Sequence, residues 1–152
     1  KVQLDGSFNV SGLVLPQSVE QLTLGYGEKT GSMDFSYLAN LKTFETSGAP
    51  TLGEMPRLPS AVTKVDLFGF DITAANPTLD LAHLTNLDFL RVYASSAAPL
   101  TLVLPANLTE QAVQAGMMSA NGHDGAIILP QGSTIVNAPE WLSDYVYIGN
   151  LW

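Results

Sequence analysis

Residues Asp34-Phe35-Ser36-Tyr37-Leu38-Ala39-Asn40-Leu41-Lys42-Thr43-Phe44 return 46 positions later as Asp80-Leu81-Ala82-His83-Leu84-Thr85-Asn86-Leu87-Asp88-Phe89-Leu90. Every apolar position of the first stretch (Phe35, Leu38, Leu41, Phe44) is apolar in the second (Leu81, Leu84, Leu87, Leu90). Self-similarity at a fixed period constrains a chain more than local propensity does. A unit this small cannot bury its apolar edge alone and must stack on its neighbours.

The echo contains a finer repeat. Val19-x-x-Leu22-x-Leu24 recurs as Leu41-x-x-Phe44-x-Thr46, Val62-x-x-Val65-x-Leu67 and Leu87-x-x-Leu90-x-Val92, with a weaker fifth copy at Leu108-x-x-Gln111-x-Val113. Successive starts lie 21 to 25 residues apart. Two lead-ins alternate before them. Leu15-Pro16, Leu58-Pro59 and Leu104-Pro105 precede the odd copies, and Leu38-Ala39-Asn40 and Leu84-Thr85-Asn86 the even ones. Proline fits a turn entering a strand, where no ladder donor is yet needed. Each coil carries a second apolar segment (Met33/Phe35, Leu52/Met55, Leu79/Leu81, Leu100/Leu102/Leu104), expected to form the opposite wall of the core.

Regularity fails after Val113. Residues 107–120 also read as a helix with Asn107 as N-cap and Glu110 at capping-box spacing. Ala126-Ile127-Ile128-Leu129-Pro130 resembles another Leu-Pro lead-in, and Leu142-Ser143-Asp144-Tyr145 the Leu-x-Asn one. The expected organisation is therefore repeat coils over 1–120, then a degenerate last coil and C-terminal cap over 121–152. Trp141 and Trp152 suit closing the end of the core.

These residues resemble the leucine-rich repeat family, and Leu84-Thr85-Asn86-Leu87-Asp88-Phe89-Leu90-Arg91-Val92 is similar to the internalin-type repeats of bacterial surface proteins. The resemblance covers roughly residues 13–116. It implies a β-rich repeat solenoid of right-handed coils with a parallel sheet on the concave face. One feature departs from the family. Three residues after the last strand Leu the family carries an Asn that bonds turn backbone between coils, whereas this chain has Gly27, Ala49, Phe70, Ser95 and Gly116. Without that asparagine ladder a parallel β-helix is the alternative fold.

Composition narrows the function. Hydrophobic residues make up 46% of the 152-residue chain and charged residues 13%, which places it among folded single domains. A net charge of −8 argues against a nucleic-acid partner. The apolar runs are too short for membrane insertion. The absence of Cys removes disulfides, thiolate metal sites and thiol nucleophiles. The chain starts at Lys1 with no initiator Met, as a processed chain or fragment would. Little Lys with much Ser, Thr, Gly and Asn is the composition of an exported bacterial surface protein.

Catalytic signatures are missing. The two histidines, His83 and His123, read as a half-buried spacer and an exposed turn residue. No zinc, nucleophile-elbow or phosphate-loop motif occurs. Glu45 and Asp66 are the one carboxylate pair that the repeat brings together, on a surface expected to be open and wet. No enzyme activity, metal or other cofactor is expected. What remains is the outward face of the main sheet, in three columns: Gln21, Thr43, Lys64 and Phe89; Thr23, Glu45, Asp66 and Arg91; Gly25, Ser47, Phe68 and Tyr93. Aromatic residues and Arg dominate binding hot spots. Glu45, Lys64, Asp66, Phe68, Phe89, Arg91 and Tyr93 are thus the candidate partner-binding residues of a non-catalytic extracellular module for a protein or glycan ligand, and the alternative for the same residues is a purely internal role, with Phe68 stacked on Tyr93 and Arg91 neutralising Asp66 within the sheet. The alternative role is a self-assembling subunit of a surface polymer, filament or virion.

Overall fold

Each repeat core alternates apolar and polar residues, and a period of two sends alternate side chains to opposite faces of an extended strand. The computed structural model of the chain describes residues 1–95, 98–120 and 122–150. Its coils begin with β1 (Val2–Leu4) and β2 (Phe8–Asn9), then β3 (Gln21–Leu24) and β4 (Glu28–Thr30), then β5 (Thr43–Thr46) and β6 (Thr51–Leu52). Coil four has three strands, β7 (Lys64–Phe68), β8 (Asp71–Ile72) and β9 (Thr78–Asp80). Coil five holds β10 (Phe89–Tyr93) and β11 (Thr101–Val103), followed by helix α1 (Glu110–Ala115) and the hairpin β12 (Met118–Ala120) and β13 (His123–Gly125). Strands β14 (Ile127–Pro130) and β15 (Thr134–Val136) and a 3-10 turn (Glu140–Tyr145) form coil six, and β16 (Val146–Gly149) opens a seventh.

The first strands of successive coils pair in parallel as a seven-stranded sheet, β1-β3-β5-β7-β10-β14-β16. The second strands form a parallel wall, β2-β4-β6-β8, and the third wall is β9-β11-β15. The molecule is a β-solenoid of about seven turns, the β-rich repeat solenoid expected from the sequence, and its strand-built second and third walls fit the β-helix alternative.

Register follows the repeat residue by residue. Val2 pairs with Leu22, Leu22 with Phe44, Phe44 with Val65 and Val65 with Leu90. The inward column Leu22, Phe44, Val65 and Leu90 is wholly buried, and so are Leu52, Leu79 and Leu102 from the facing walls. Burying such a side chain contributes about 1.5–3 kcal/mol each. The lead-ins are tight corners, with Val19, Val62 and Leu108 donating to the carbonyls of Pro16, Pro59 and Pro105.

The last third departs from the sequence reading. The fifth copy, Leu108-x-x-Gln111-x-Val113, is not a strand, because α1 occupies it and buries Ala112 and Val113. Its N-cap is Thr109, whose hydroxyl accepts from the Ala112 amide, not Asn107. Asn107 instead donates to the Thr85 carbonyl of the coil below, at 2.7 Å. Residues 126–130 are not a lead-in. Ile127–Pro130 is the sheet strand itself, paired with β10 through Val92 and Ile127. Trp141 packs half-buried on the core edge-on to Tyr145, whereas Trp152 lies outside the described residues.

The missing asparagine ladder has a physical substitute. Gly27 takes φ +102°, Gly48 φ +72° and Gly69 φ +78°, conformations open to glycine at little cost. Lys29 lies in the inward column of the second wall between Phe8 and Leu52 and is wholly buried. Its ammonium donates to the carbonyls of Gly6 (2.6 Å), Gly25 (3.0 Å) and Tyr26 (2.9 Å). Further along, the Thr46 hydroxyl donates to the Gly69 carbonyl and the Ser95 amide to that of Phe70. Asparagines do bridge coils, but at other corners: Asn40 donates to the Gln17 carbonyl and Asn137 to that of Leu104.

Candidate functional site

The outward face of the seven-stranded sheet is built by the side chains that the repeat leaves between its apolar positions. Pairing aligns Gln21, Thr43, Lys64 and Phe89 in one column and Thr23, Glu45, Asp66 and Arg91 in the next. Phe68 stands beside Tyr93 in the third. Adjacent strands are about 4.8 Å apart, so column neighbours touch.

At the centre, Arg91 grips Asp66 with two hydrogen bonds, Nε to Oδ1 and Nη2 to Oδ2, both 2.7 Å. This two-pronged geometry is the strong form of a carboxylate–guanidinium contact. The hydrogen bonds it donates to Asp66 hold the Arg91 guanidinium protonated even more firmly than usual. Asp66 does not sit on an open, wet surface as the sequence suggested. It is 7% exposed, because the Arg91 fork covers it. Glu45 is tied as well, accepting from the Gln21 amide at 2.6 Å.

Aromatic rings and cations interleave around that pair. The Arg91 guanidinium carbon lies 5.3 Å from the centres of both the Phe68 and Phe89 rings, and Lys64 Nζ lies 4.7 Å over Phe89. Phe68 and Tyr93 stack with centres 6.0 Å apart. Phe68 is nonetheless 49% exposed, and Lys64, Phe89, Arg91 and Tyr93 are half-buried. All seven residues singled out in the sequence therefore share one face. The arrangement is preorganised: the fork to Asp66 fixes the Arg91 guanidinium between the Phe68 and Phe89 rings.

Two residues of this face escaped the sequence reading. Tyr147 pairs with Ile128 at the far end of the sheet, and His123 stacks on it with ring centres 3.6 Å apart. His123 is thus no exposed turn residue but a half-buried member of β13. The legible signal was Asn121-Gly122, a dipeptide favoured in two-residue hairpin turns. His83 is exposed rather than half-buried and hydrogen-bonds the Leu58 carbonyl through Nε2.

No known family model, curated protein or solved structure is significantly similar to this chain. Among the described residues no three His, Asp or Glu side chains cluster as metal ligands. Among the described residues no helix is long and apolar enough to cross a membrane.

A groove of about 820 Å³ crosses the third wall between coils three and four, lined by the apolar Met55, Leu58, Ala61 and Ala74 and by the charged Glu54, Arg57 and Asp80.

Proposed function

We propose that this protein is a non-catalytic binding module that holds a protein or glycan ligand outside the cell through the outward face of its main sheet. The observation that carries the reading is the half-exposed Phe68 packed with Tyr93 and Arg91, since aromatic residues and Arg at the centre of a patch carry most binding energy. Its carboxylates serve architecture rather than proton transfer, Asp66 in the Arg91 fork and Glu45 against Gln21. Placement at a bacterial cell surface rests on the internalin-like residues 84–92 and on the low-Lys, Ser/Thr/Gly/Asn-rich composition.

The test is a double variant, Phe68→Ala with Tyr93→Ala, probed against arrays of glycans and extracellular proteins. Binding seen with the unaltered protein is expected to fall at least about tenfold, as for a hot-spot pair. The melting temperature is expected to stay within a few degrees, because both side chains lie on the solvent side of the sheet. Retained affinity would remove the outward face from consideration.

Assembly is the second reading, favoured by one observation. Strands β1 and β16 each have a single neighbour in the sheet, and an unpaired strand edge is a template for another chain. Light scattering across a hundredfold range of concentration separates the two. Growth in mass with concentration is expected for the assembling subunit, and a constant monomer mass rejects it.

A further inference from the structure

The third wall of the solenoid is interrupted at one place. Arg57 of coil three bridges Asp34 of coil two in parallel, with Arg57 donating to the Met33 carbonyl and Phe35 donating to that of Arg57. Asp80 holds in coil four the place that Asp34 holds in coil two, as the sequence echo shows. Asp80 pairs onward with Val103, yet no bridge joins it back to Arg57, and β9 ends its sheet. The ladder therefore closes between coils two and three and between coils four and five, but stands open between three and four.

The cause lies in local sequence. Eight positions separate Ile72 from Asp80, against five from Leu52 to Arg57, although Leu52 and Ile72 are paired. The longer connection passes through Asn76 at φ +50° and Pro77 and carries β9 away from its neighbour. On the facing side Pro56 has no N–H to donate, which disfavours direct closure. The space left is the groove of about 820 Å³.

Its walls present unused backbone. In a parallel ladder, alternate residues bond to opposite sides. The Thr101 amide donates to Pro77 and the Leu81 amide to Val103, so residues 77, 79 and 81 serve β11. The N–H and C=O of Thr78 and Asp80 consequently point into the groove, and both residues are exposed. Across from them, Arg57 is turned to coil two, which leaves the Pro56 carbonyl and Leu58 amide facing the same space. The His83 ring, bonded to the Leu58 carbonyl, closes one end. The Arg57 charge lies near Asp34, whose carboxyl is held below its usual range by hydrogen bonds from Ser36 and more weakly by that charge. Glu54 and Asp80 make no ion pair among the described residues and outnumber the groove's one Arg, Arg57, which leaves the lining net negative.

We propose that this groove takes a short, extended, basic peptide segment of a partner protein as an added β-strand, hydrogen-bonded along the free edge of β9. The ligand's backbone meets Thr78 and Asp80, its apolar side chains settle on Met55, Leu58 and Ala74, and its Lys or Arg side chains face Glu54 and Asp80. This is strand addition, in which main-chain bonds supply affinity and alternate side chains supply specificity. The site lies on a different wall from the Phe68–Tyr93 face and stands independently of it.

The probe is a phage-displayed library of random linear heptapeptides panned against the 152-residue protein. The best binder is then resynthesised with a fluorescent label and its affinity read by polarisation. Enriched peptides are expected to alternate apolar with basic residues. N-methylation of the backbone at alternate positions is expected to weaken binding about tenfold or more, because each methyl removes a ladder donor. Thr78→Pro removes only an unpaired N–H of an edge strand and is expected to abolish binding with circular dichroism unchanged. Glu54→Gln with Asp80→Asn is expected to weaken it about tenfold. Four results overturn the proposal: no enrichment above the Thr78→Pro protein, indifference to N-methylation, loss of binding in the Phe68→Ala, Tyr93→Ala protein instead, or self-association by sedimentation that Thr78→Pro removes, which would make a second copy the occupant. The N-methyl series is read on the unaltered protein, so it decides even if a variant folds poorly.

Discussion

The Phe70→Asn protein is expected to melt at least about 10 °C below the unaltered one. Position 70 is one of the places where the leucine-rich repeat pattern has its bridging asparagine, so a turn of that family's kind would accept the change or gain from it. Here Phe70 is wholly buried in the common core. Removing a buried aromatic ring costs about 3–5 kcal/mol through lost transfer energy and the cavity left behind. An amide placed in that cavity adds the cost of an unpaired polar group, about 1–3 kcal/mol. For a domain of this size each kcal/mol lowers the melting temperature by about 2–4 °C. Thermal unfolding followed by circular dichroism measures it. A melting temperature at or above that of the unaltered protein would mean that the turn after β7 has the family's asparagine geometry after all.

Lys29→Met should destabilise the protein by about 3 kcal/mol at neutral pH. Methionine matches the lysine stem in length and packs on Phe8 and Leu52, so the loss isolates the ammonium. Three backbone carbonyls accept its three N–H groups, and Tyr26 O alone also receives a backbone donor, from Gly6. Leaving the other two unpaired costs about 1–3 kcal/mol each, partly offset by no longer burying a charge. Urea unfolding of both proteins gives the difference, and an unchanged midpoint would rule out the ammonium as the device that holds the first turns.

That difference should also depend on pH. Burial lowers the Lys29 pKa from its ordinary 10.5, an effect that the charge of Asp5 only partly opposes. Between the lowered folded value and 10.5 the unfolded chain binds more protons than the folded one, so stability from this group rises with pH. The unaltered protein is therefore expected to gain on the Lys29→Met protein as pH climbs through that window. A gap that narrows instead would mean that the folded pKa is raised.

Much of the scaffold was legible because a repeat registers itself. Once Leu22, Phe44, Val65 and Leu90 are recognised as equivalent, pairing them places every residue between them, which is why the outward columns could be written down without coordinates. The region after Val113 was not legible in the same way. Leu108-x-x-Gln111-x-Val113 has the spacing of a strand core but the composition of a helix, and in so short a segment tertiary packing decides between them. Thr109 provides the cap that favours the helix.

Sequence by itself thus determined the solenoid, the length of coils two to four and the membership of the outward face from β3 to β10, since a period of two within a period of 21–25 leaves each side chain one side to occupy. Tertiary structure alone decided three things. It closed the Arg91–Asp66 pair, legible from the column register, into a two-pronged fork that buries the carboxylate. It buried Lys29 where the pattern calls for an apolar residue, because three turn carbonyls converge there. It opened the third wall beside β9, because three more residues in one coil move a strand out of hydrogen-bonding reach, a consequence that depends on the neighbouring coil and not on the local sequence.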